Sequence, residues 1–497
     1  MKQILVFGAG KSATVLIDYI LGNADAENWH LTLADANLAL ARQKVGDSSH
    51  GTAVSFDIND ARQREEHIAV ADLVISMLPP ALHRLVAADC LAASRSLLTA
   101  SYVDSEMLAL ADEIKAKGLL FLCEMGLDPG IDHMSAMQII DSIRAQGGHI
   151  TSFRSHCGGL VAPESDDNPW HYKISWNPRN IVLAGKAGAH YRENGKDVHL
   201  AYEQLFATQR LVDIPGLGNL SWYPNRDSLS YEKLYGLDAT NTFVRTTLRH
   251  PEFISGWNNI VTLGLTDETP AYESKGRSLA ELFAEHVEKH GHQEFLEKMS
   301  ARNRQMLNGL VELMKAEKKL ADTGDEPPSS YMSADSEGRL EEIDINAVKD
   351  QVATSLAVNI RESNLALTQL EYLGLYDRET SVDIGFCSAA DILQQAAETK
   401  LALQPNDRDM IVMLHEFAYE QDGKNKSVSS SLVVKGQDSL RTAMAATVGL
   451  PLAIAARLIL RGEITRTGLC IPTTTDIYEP VLKELEQYGV RFEEKSE

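Results

Sequence analysis

The stretch Gln3–Leu21, QILVFGAGKSATVLIDYIL, decides the fold. Gln3–Phe7 is a short, mostly apolar run, Gly8–Ala13 reads GAGKSA, and Thr14–Leu21 has a helical pattern. Strand, tight glycine turn and helix, in that order, are the context a dinucleotide fingerprint requires. Gly8 permits the turn, and Gly10 lets the backbone approach a pyrophosphate. Lys11 and Ser12 lead to Ala13, which stands in place of the third glycine and still allows close helix–strand packing. The pyrophosphate would sit on the helix N-terminus, where free N–H groups and the dipole favour anions. A second strand, His30–Ala34, ends in Asp35. An acid there accepts hydrogen bonds from the adenosine ribose hydroxyls and repels a 2′-phosphate, which favours NAD(H) over NADP(H).

Outward from this start the alternation of strand and helix continues. Val54–Phe56 leads to Asp57, at a place where an acid commonly lies near the adenine. Leu73–Met77 is a strand whose end breaks into Ser76-Met77-Leu78-Pro79-Pro80. Such a break at a carboxyl end is where cofactor and substrate meet. His83 follows, and reads either as an ordinary residue of a helix N-terminus or as a functional one. Ser96–Ala100 ends in Ser101-Tyr102, whose hydroxyls either bind a substrate carboxylate or satisfy a turn. Leu119–Leu122 then feeds Gly126–Met137, GLDPGIDHMSAM, which gathers Asp128, Pro129, Gly130, Asp132 and His133. Asp-Pro-Gly is a turn signal and MSAMQII looks helical. A strand-to-helix turn of this kind points titratable groups into a cleft; the plain alternative is a turn with Asp132 capping the helix and His133 orienting its first turn.

Two or three domains are expected of 497 residues. Hydrophobic content of 44% and a mean hydropathy of −0.19 are those of a globular chain. No run of about 18 apolar residues stands out, so no membrane span is expected. The first residues enter a strand at once, which leaves no room for a signal peptide. Net charge is −23, from 47 basic and 70 acidic residues, against the basic footprint of a nucleic-acid binder. Anionic substrates remain compatible if the pocket is locally basic. The five cysteines, Cys90, Cys123, Cys157, Cys387 and Cys470, are scattered and form no CxxC. A disulfide framework and a zinc site are not expected, no metal is called for, and a reducing, cytoplasmic compartment is.

The fold class is α/β: an N-terminal Rossmann domain with a doubly wound parallel sheet, a second mixed-sheet α/β domain, and a helical insertion. The Rossmann domain spans 1–130 and is completed by 436–497. The mixed domain, 131–265, carries ITSFRSHCGG, NIVLAG and TFVRTTL as strands and is completed by 405–435, a hairpin turning at Asp422-Gly423. The helical domain, 266–404, has helical patterns in LAELFAEHVEKH, in FLEKMSARNRQMLNGLVELMKAEKK, over Asp344–Gly374 and over Ala389–Ala402, with a polar loop at Asp322–Gly338. Ser439–Leu460 and Ile477–Tyr488 are helices that pack back on the first domain.

The motifs GAGKSA, SMLPPALH, TASYVD, GLDPGIDH, SHCGGLVAPESDDNPWHYKISW, YPNRDS, VRTTLRH and SLVVKGQDSLRTAMAATVGLPLAIAARLIL occur in this order. Together they closely resemble the glutamate-forming saccharopine dehydrogenases, or saccharopine reductases, from the first strand to the final helices. The resemblance implies NAD(P)-dependent oxidation of saccharopine at the bond between its nitrogen and the lysine ε-carbon. Water then releases glutamate and 2-aminoadipate 6-semialdehyde; synthesis is the reverse. It also implies that Arg226, Thr247-Leu248-Arg249, Ser101, Tyr102 and Asp128 bind saccharopine, and that Leu127-Asp128-Pro129 touches the nicotinamide end of the cofactor. Arginine forks suit a substrate with three carboxylates. Arg245 alternates with Thr247 and Arg249, so the three can share one sheet face. Spacing alone would favour a surface row paired with acids; the resemblance reverses that.

Asp128 is the first candidate for acid–base work, followed by Lys173, Cys157 and Tyr102. Aromatic flanks in HYKISW could lower the Lys173 pKa by desolvation, or the lysine is a salt-bridge residue. Cys157, before Gly158-Gly159, reads as pocket-lining. Lys435 and Thr442 either approach the site or belong to core or subunit packing. Some members of the family use NADP and carry small or basic residues where this chain has Asp35, so NAD is the expected cofactor and NADP the alternative. A same-fold enzyme acting on another secondary amine, of carboxyspermidine or opine type, is the competing reading, and a cofactor-binding protein without catalysis a third. A polyamine would call for acids rather than Arg226 and Arg249. A homodimer is expected from the family and from the frequency of twofold assemblies.

Overall fold

The computed structural model describes residues 1–294, 296, 315 and 361–496, and the backbone of 330–334 and 340–344. Six short strands alternate with helices at the start: β1 (Lys2–Phe7), β2 (Trp29–Ala34), β3 (Gly51–Val54), β4 (Leu73–Ser76), β5 (Ser96–Thr99) and β6 (Leu120–Leu122). They lie in the order β3-β2-β1-β4-β5-β6, all parallel, and the late strand Gly468–Cys470 adds to β6, also parallel. This is the doubly wound order, with its switch point between β1 and β4. The pleat sends Ile4 and Val6 to one core with Ile17 and Ile20, and Leu5 and Phe7 to another with Ile68 and Val86. Burial on both faces is why the strands read as apolar runs rather than as alternation.

The helix Ala443–Leu460 packs against the first helix, Thr14–Glu27, at a small-residue crossing. A Cβ on Gly449 would stand 2.7 Å from the Leu16 nitrogen. Asp409, wholly buried, accepts hydrogen bonds from the first amides of this helix, Ala443 at 2.5 Å and Met444 at 2.9 Å. Contrary to expectation, this helix is an apolar run of membrane length, with a mean hydropathy of 1.9, but 72% of it is buried inside the protein. Its apolar surface is spent on the core.

The second sheet has ten strands. Its early members are β7 (His149–Val161), β8 (Ala189–Glu193), β9 (Lys196–Leu200), β10 (Arg210–Ile214), β11 (Gly218–Pro224), β12 (Arg226–Asp227) and β13 (Thr242–Arg249). The path runs β10-β11-β13-β7, then through the hairpin Asp409–Gln421 and Lys424–Lys435 to Glu493–Ser496. Only the β13–β7 step on this path is parallel. Of NIVLAG, expected as a strand, only Asn180–Val182 take regular structure, in a short helix, Pro178–Val182, and the rest is turn. Asn177 caps the helix by accepting from the Arg179 amide, and Pro178 pre-sets its first turn.

Both sheets belong to one compact unit, Met1–Asp167, His171–Pro251 and Leu401–Glu497. The second unit is Asn168–Trp170 with Glu252–Lys400, so the insertion begins near 252, with the helix Pro251–Thr262, rather than at 266. It holds the helices Leu279–Lys289 and Ala389–Lys400, a helical stretch 361–372, and small strand pairs. Ser278 and Glu281 form a reciprocal cap at Leu279. Part of the loop expected over Asp322–Gly338 is a strand, Ser330–Ala334, paired with Leu340–Asp344. The helical pattern expected across 295–319 falls almost entirely outside the described residues.

Candidate active site

At the carboxyl end of β1, Gly8 takes φ +98°, and a Cβ there would lie 2.9 Å from the Met77 carbonyl. Only glycine accepts both conditions. Around Gly10 a Cβ would meet nothing within 4 Å. No side chain caps the turn Lys11–Ala13 or the helix that follows. Its orphan amides therefore face an open approach, which is the arrangement a pyrophosphate needs. Lys11 is exposed, Ser12 half-buried and Ala13 buried. Asp35 binds the loop itself: Oδ2 accepts from the Ala9 amide at 2.7 Å and Oδ1 from Asn37 at 2.8 Å. Lys44, missed in the sequence, donates to the Gly10 carbonyl at 2.8 Å and Thr14 Oγ1 at 2.6 Å. Burial lowers its pKa to about 8, against the pull of Asp18 and Asp35. Asp57 is exposed and its Oδ1 accepts from the Asn59 amide at 2.9 Å. Ser76 is wholly buried, Leu78 half-buried, and Leu127 and Pro129 buried. These residues fit a nicotinamide dinucleotide.

The Asp128–Pro129 bond is cis, and Gly130 has φ +146° with no room for a Cβ against Gly126. Asp132, on the first turn of the helix Ile131–Ala145, closes this loop by accepting from the Gly130 amide at 2.6 Å. Its other oxygen meets Arg245. The same Arg245 nitrogen, Nη2, lies 2.6 Å from Asp128 Oδ1 and 2.6 Å from Asp132 Oδ2. Arg245 reaches them from β13, 3% exposed, with its guanidinium 4.4 Å from the Tyr231 ring centre. Tyr102 donates its hydroxyl to Asp128 Oδ1 at 3.0 Å.

These contacts separate the two acids. Burial raises the Asp128 pKa, and Arg245 only partly offsets it. Asp132 is more deeply buried, yet His133, Arg245 and the Gly130 amide together hold it below the usual range. Pairs driven apart in this way mark sites where a proton is exchanged. Burial, reinforced by Asp128, keeps the Tyr102 phenol protonated. Beneath them, His133 donates from Nε2 to Glu124 Oε2 at 2.8 Å and pairs through Nδ1 with the Tyr235 hydroxyl. Tyr231 donates to the same Glu124 oxygen at 3.1 Å. His133 thus anchors a buried network rather than merely starting a helix. Glu124, Tyr231 and Tyr235 left no local signal in sequence, because nothing in their neighbourhood announces a shared partner about a hundred residues away.

Arg245, Thr247 and Arg249 share one face of β13, as expected, and Cys157 lies opposite Thr247 in register. Leu248 does not join them. Its side chain is wholly buried on the other face with Leu160 and Trp222, so only its backbone can reach the site. Arg249 is buried over the Tyr172 ring at 5.2 Å and donates to the Leu248 carbonyl at 2.7 Å. Arg226 is exposed, at φ 53°, with its guanidinium 5.1 Å from the Tyr102 ring centre. It has no carboxylate partner among the described residues. Ser101 is half-buried and pairs with His83, itself buried.

Two expected catalysts change character. Burial pushes the Cys157 thiol well above its ordinary value, with Asp128 and Asp132 adding to the effect, so it is no thiolate nucleophile. Lys173 does not have a lowered pKa. Burial would lower it, but Asp407 at 2.7 Å and Asp167 at 2.9 Å outweigh that and raise it. It is the salt-bridge lysine of the two readings. Lys435 pairs with Glu164 at 2.8 Å, and Thr442 caps the helix Ala443–Leu460 by accepting from the Ala445 amide.

A parallel doubly wound sheet, an uncapped helix behind a glycine turn, and a polar cluster at the strand ends define a dinucleotide-dependent oxidoreductase. Two family models divide the chain: "Saccharopine dehydrogenase NADP binding domain" matches residues 4–122 and "Saccharopine dehydrogenase C-terminal domain" matches 126–490. The chain belongs to the saccharopine dehydrogenase family. It is 32% identical to saccharopine dehydrogenase [NADP(+), L-glutamate-forming] of Saccharomyces cerevisiae, across 100% of this chain and 99% of that one. It is 31% identical to the mitochondrial alpha-aminoadipic semialdehyde synthase of Bos taurus, covering 100% of this chain and 48% of that longer protein. The solved apo structure of the Saccharomyces cerevisiae L-Glu-forming enzyme superposes over 100% of both chains with a TM-score of 0.78 and 29% identity.

Proposed function

We propose that this protein is an L-glutamate-forming saccharopine dehydrogenase, interconverting saccharopine with glutamate and 2-aminoadipate 6-semialdehyde. One observation carries the reading. Arg226, an exposed arginine without an acidic partner among the described residues, lies over Tyr102, beside the buried Asp128–Arg245–Asp132 array. In a chain of net charge −23, such a cation is a receptor for a substrate carboxylate. Full-length similarity to relatives bearing that activity in their names supports it. A polyamine substrate would require acids at Arg226 and Arg249, which disfavours the carboxyspermidine-type alternative.

In this reading Arg226, Arg249, Ser101 and the Thr247–Leu248 backbone hold the substrate carboxylates. Bound nicotinamide supplies the hydride acceptor, placed by Leu127-Asp128-Pro129, Ser76 and Leu78. Asp128 takes the proton from the substrate nitrogen, a role its raised pKa suits better than that of an ordinary carboxylate. Arg245 holds its carboxylate in place, and Tyr102 donates to it. Cys157 lines the pocket as a thiol.

For the cofactor, a dinucleotide of the NAD(P) class follows from the loop, and NAD is proposed over NADP. Asp35 supports this, because its carboxylate directly follows β2 and would oppose a 2′-phosphate. The NADP(+) in the relatives' names weighs the other way. Nicotinamide absorbance, followed with saccharopine and each cofactor in parallel, tests both parts. Reduction of NAD with release of glutamate is the expected result; reduction of NADP alone would refute the Asp35 argument and keep the reaction. A homodimer in the cytoplasm belongs to the same proposal, the compartment supported by five free cysteines and the dimer by the frequency of twofold assemblies; light scattering and cell fractionation check it.

A further inference from the structure

His83 is a buried group that the mechanism above does not use. It is the first residue of the helix His83–Ala92 and bridges the ends of two neighbouring strands. Nδ1 lies 2.8 Å from Ser76 Oγ at the end of β4. Nε2 lies 2.7 Å from Ser101 Oγ just beyond β5, with Thr99 Oγ1 at 3.3 Å. Burial lowers its pKa to about 4, Asp104 opposing, so the ring is neutral near physiological pH. A neutral imidazole has one donor and one acceptor nitrogen, so the two serines must take opposite roles.

Burial and distance decide which. Ser76 is wholly buried, and among the described residues His83 is its side-chain partner. A buried hydroxyl proton needs an acceptor; Thr99 is buried too, but its contact with Nε2 is 3.3 Å against 2.8 Å from Ser76 to Nδ1, so the shorter bond decides and Ser76 donates to Nδ1. The ring proton then sits on Nε2 and is donated to Ser101 Oγ. Ser101 therefore accepts from the ring and keeps its own proton for another group. Its backbone is held as well: its amide donates to Thr99 Oγ1 at 3.2 Å, and its carbonyl accepts from the Glu124 amide at 3.1 Å. The next residue, Tyr102, lies beneath Arg226.

We propose that His83 is a positioning residue that sets the Ser101 hydroxyl as a hydrogen-bond donor to a substrate carboxylate, an assignment that rests on the saccharopine reading. It touches neither substrate nor cofactor and acts through one serine proton. The ring also joins a proposed cofactor residue, Ser76, to a proposed substrate residue, Ser101.

A double-mutant cycle tests this with the full-length protein, saccharopine and NAD. His83→Phe keeps the ring and removes both hydrogen bonds; Ser101→Ala removes the donor. Each is expected to raise KM for saccharopine ~10–100-fold, the range for a hydrogen bond to a charged group, with kcat within about threefold. NADH affinity, read by fluorescence, is expected to stay unchanged in Ser101→Ala. The double variant is expected to be no worse than Ser101→Ala alone, because the histidine then has nothing to orient. Additive losses, a fall in kcat at constant KM, or an unmoved KM in His83→Phe would each overturn the proposal. Should His83→Phe not fold, His83→Gln completes the same cycle with a side chain that can still donate, and its KM is expected between wild type and Ser101→Ala. No saccharopine turnover by the wild-type protein would overturn the substrate reading and this proposal with it. Turnover with an unmoved KM in the variant overturns the proposal alone.

Discussion

Replacing Arg245 by methionine removes the only guanidinium that the structure places between Asp128 and Asp132, among the described residues. Both contacts are 2.6 Å and the arginine is 3% exposed. Methionine fills much of the volume but leaves two buried carboxylates facing one another. Breaking a buried pair from one side costs about 3–5 kcal/mol, mostly from the charges left behind. In a compact unit of a few hundred residues this lowers the melting temperature by roughly 4–7 °C. The sign of its pH dependence follows from the same contacts. Arg245 lowers the pKa of both acids in the wild type, so its loss raises both in the folded variant. A raised folded pKa favours the native state as pH falls and penalises it as pH rises. The gap between variant and wild type is therefore widest near neutral pH and narrows through the acid range. Thermal melts of both proteins at several pH values measure it. A gap that does not change with pH would refute the argument, since lost packing alone would produce that result.

Asp128→Asn keeps a similar shape and removes the base, so kcat is expected to fall about 10²–10⁴-fold. In the wild type, the rate of saccharopine oxidation should decline as pH drops through the raised Asp128 pKa, since the protonated acid cannot accept the amine proton; a pH profile without that limb would count against Asp128. Lys173→Met should cost roughly 1–3 kcal/mol of stability, because Asp407 is largely buried while Asp167 is open to solvent, with kcat within twofold or so; a large kcat loss in the folded variant would restore a catalytic role. Arg226→Ala should raise KM for saccharopine by about tenfold or more and leave NAD affinity alone, as steady-state kinetics and cofactor fluorescence would read.

The nucleotide half was legible because its information is local. GAGKSA behind an apolar strand specifies its own turn, since Gly8 must take positive φ; Asp35 and Lys44 then brace the loop from 26 and 34 residues away. Runs such as Leu73–Ser76 and Leu97–Thr99 announce strands buried on both faces without reference to their neighbours. The Asp-Pro-Gly turn and the β13 alternation were legible for the same reason, since turn chemistry and the pleat act over a few residues. NIVLAG reads as a strand because a five-residue apolar stretch has no period of its own; Asn177-Pro178 start a short helix that takes its first half.

Tertiary structure decided the charge states and the partnerships. Nothing near Lys173 in sequence foretells Asp407, 234 residues away, yet that carboxylate helps raise the lysine's pKa where burial alone would lower it. Asp128 and Asp132 are four residues apart and chemically alike. They differ because Arg245, His133 and the Gly130 amide are apportioned unequally between them in a buried space. A sequence can specify which groups are present and the local turns that carry them. How a charge is stabilised depends on desolvation and on neighbours within a few ångströms, and only the folded chain sets those distances.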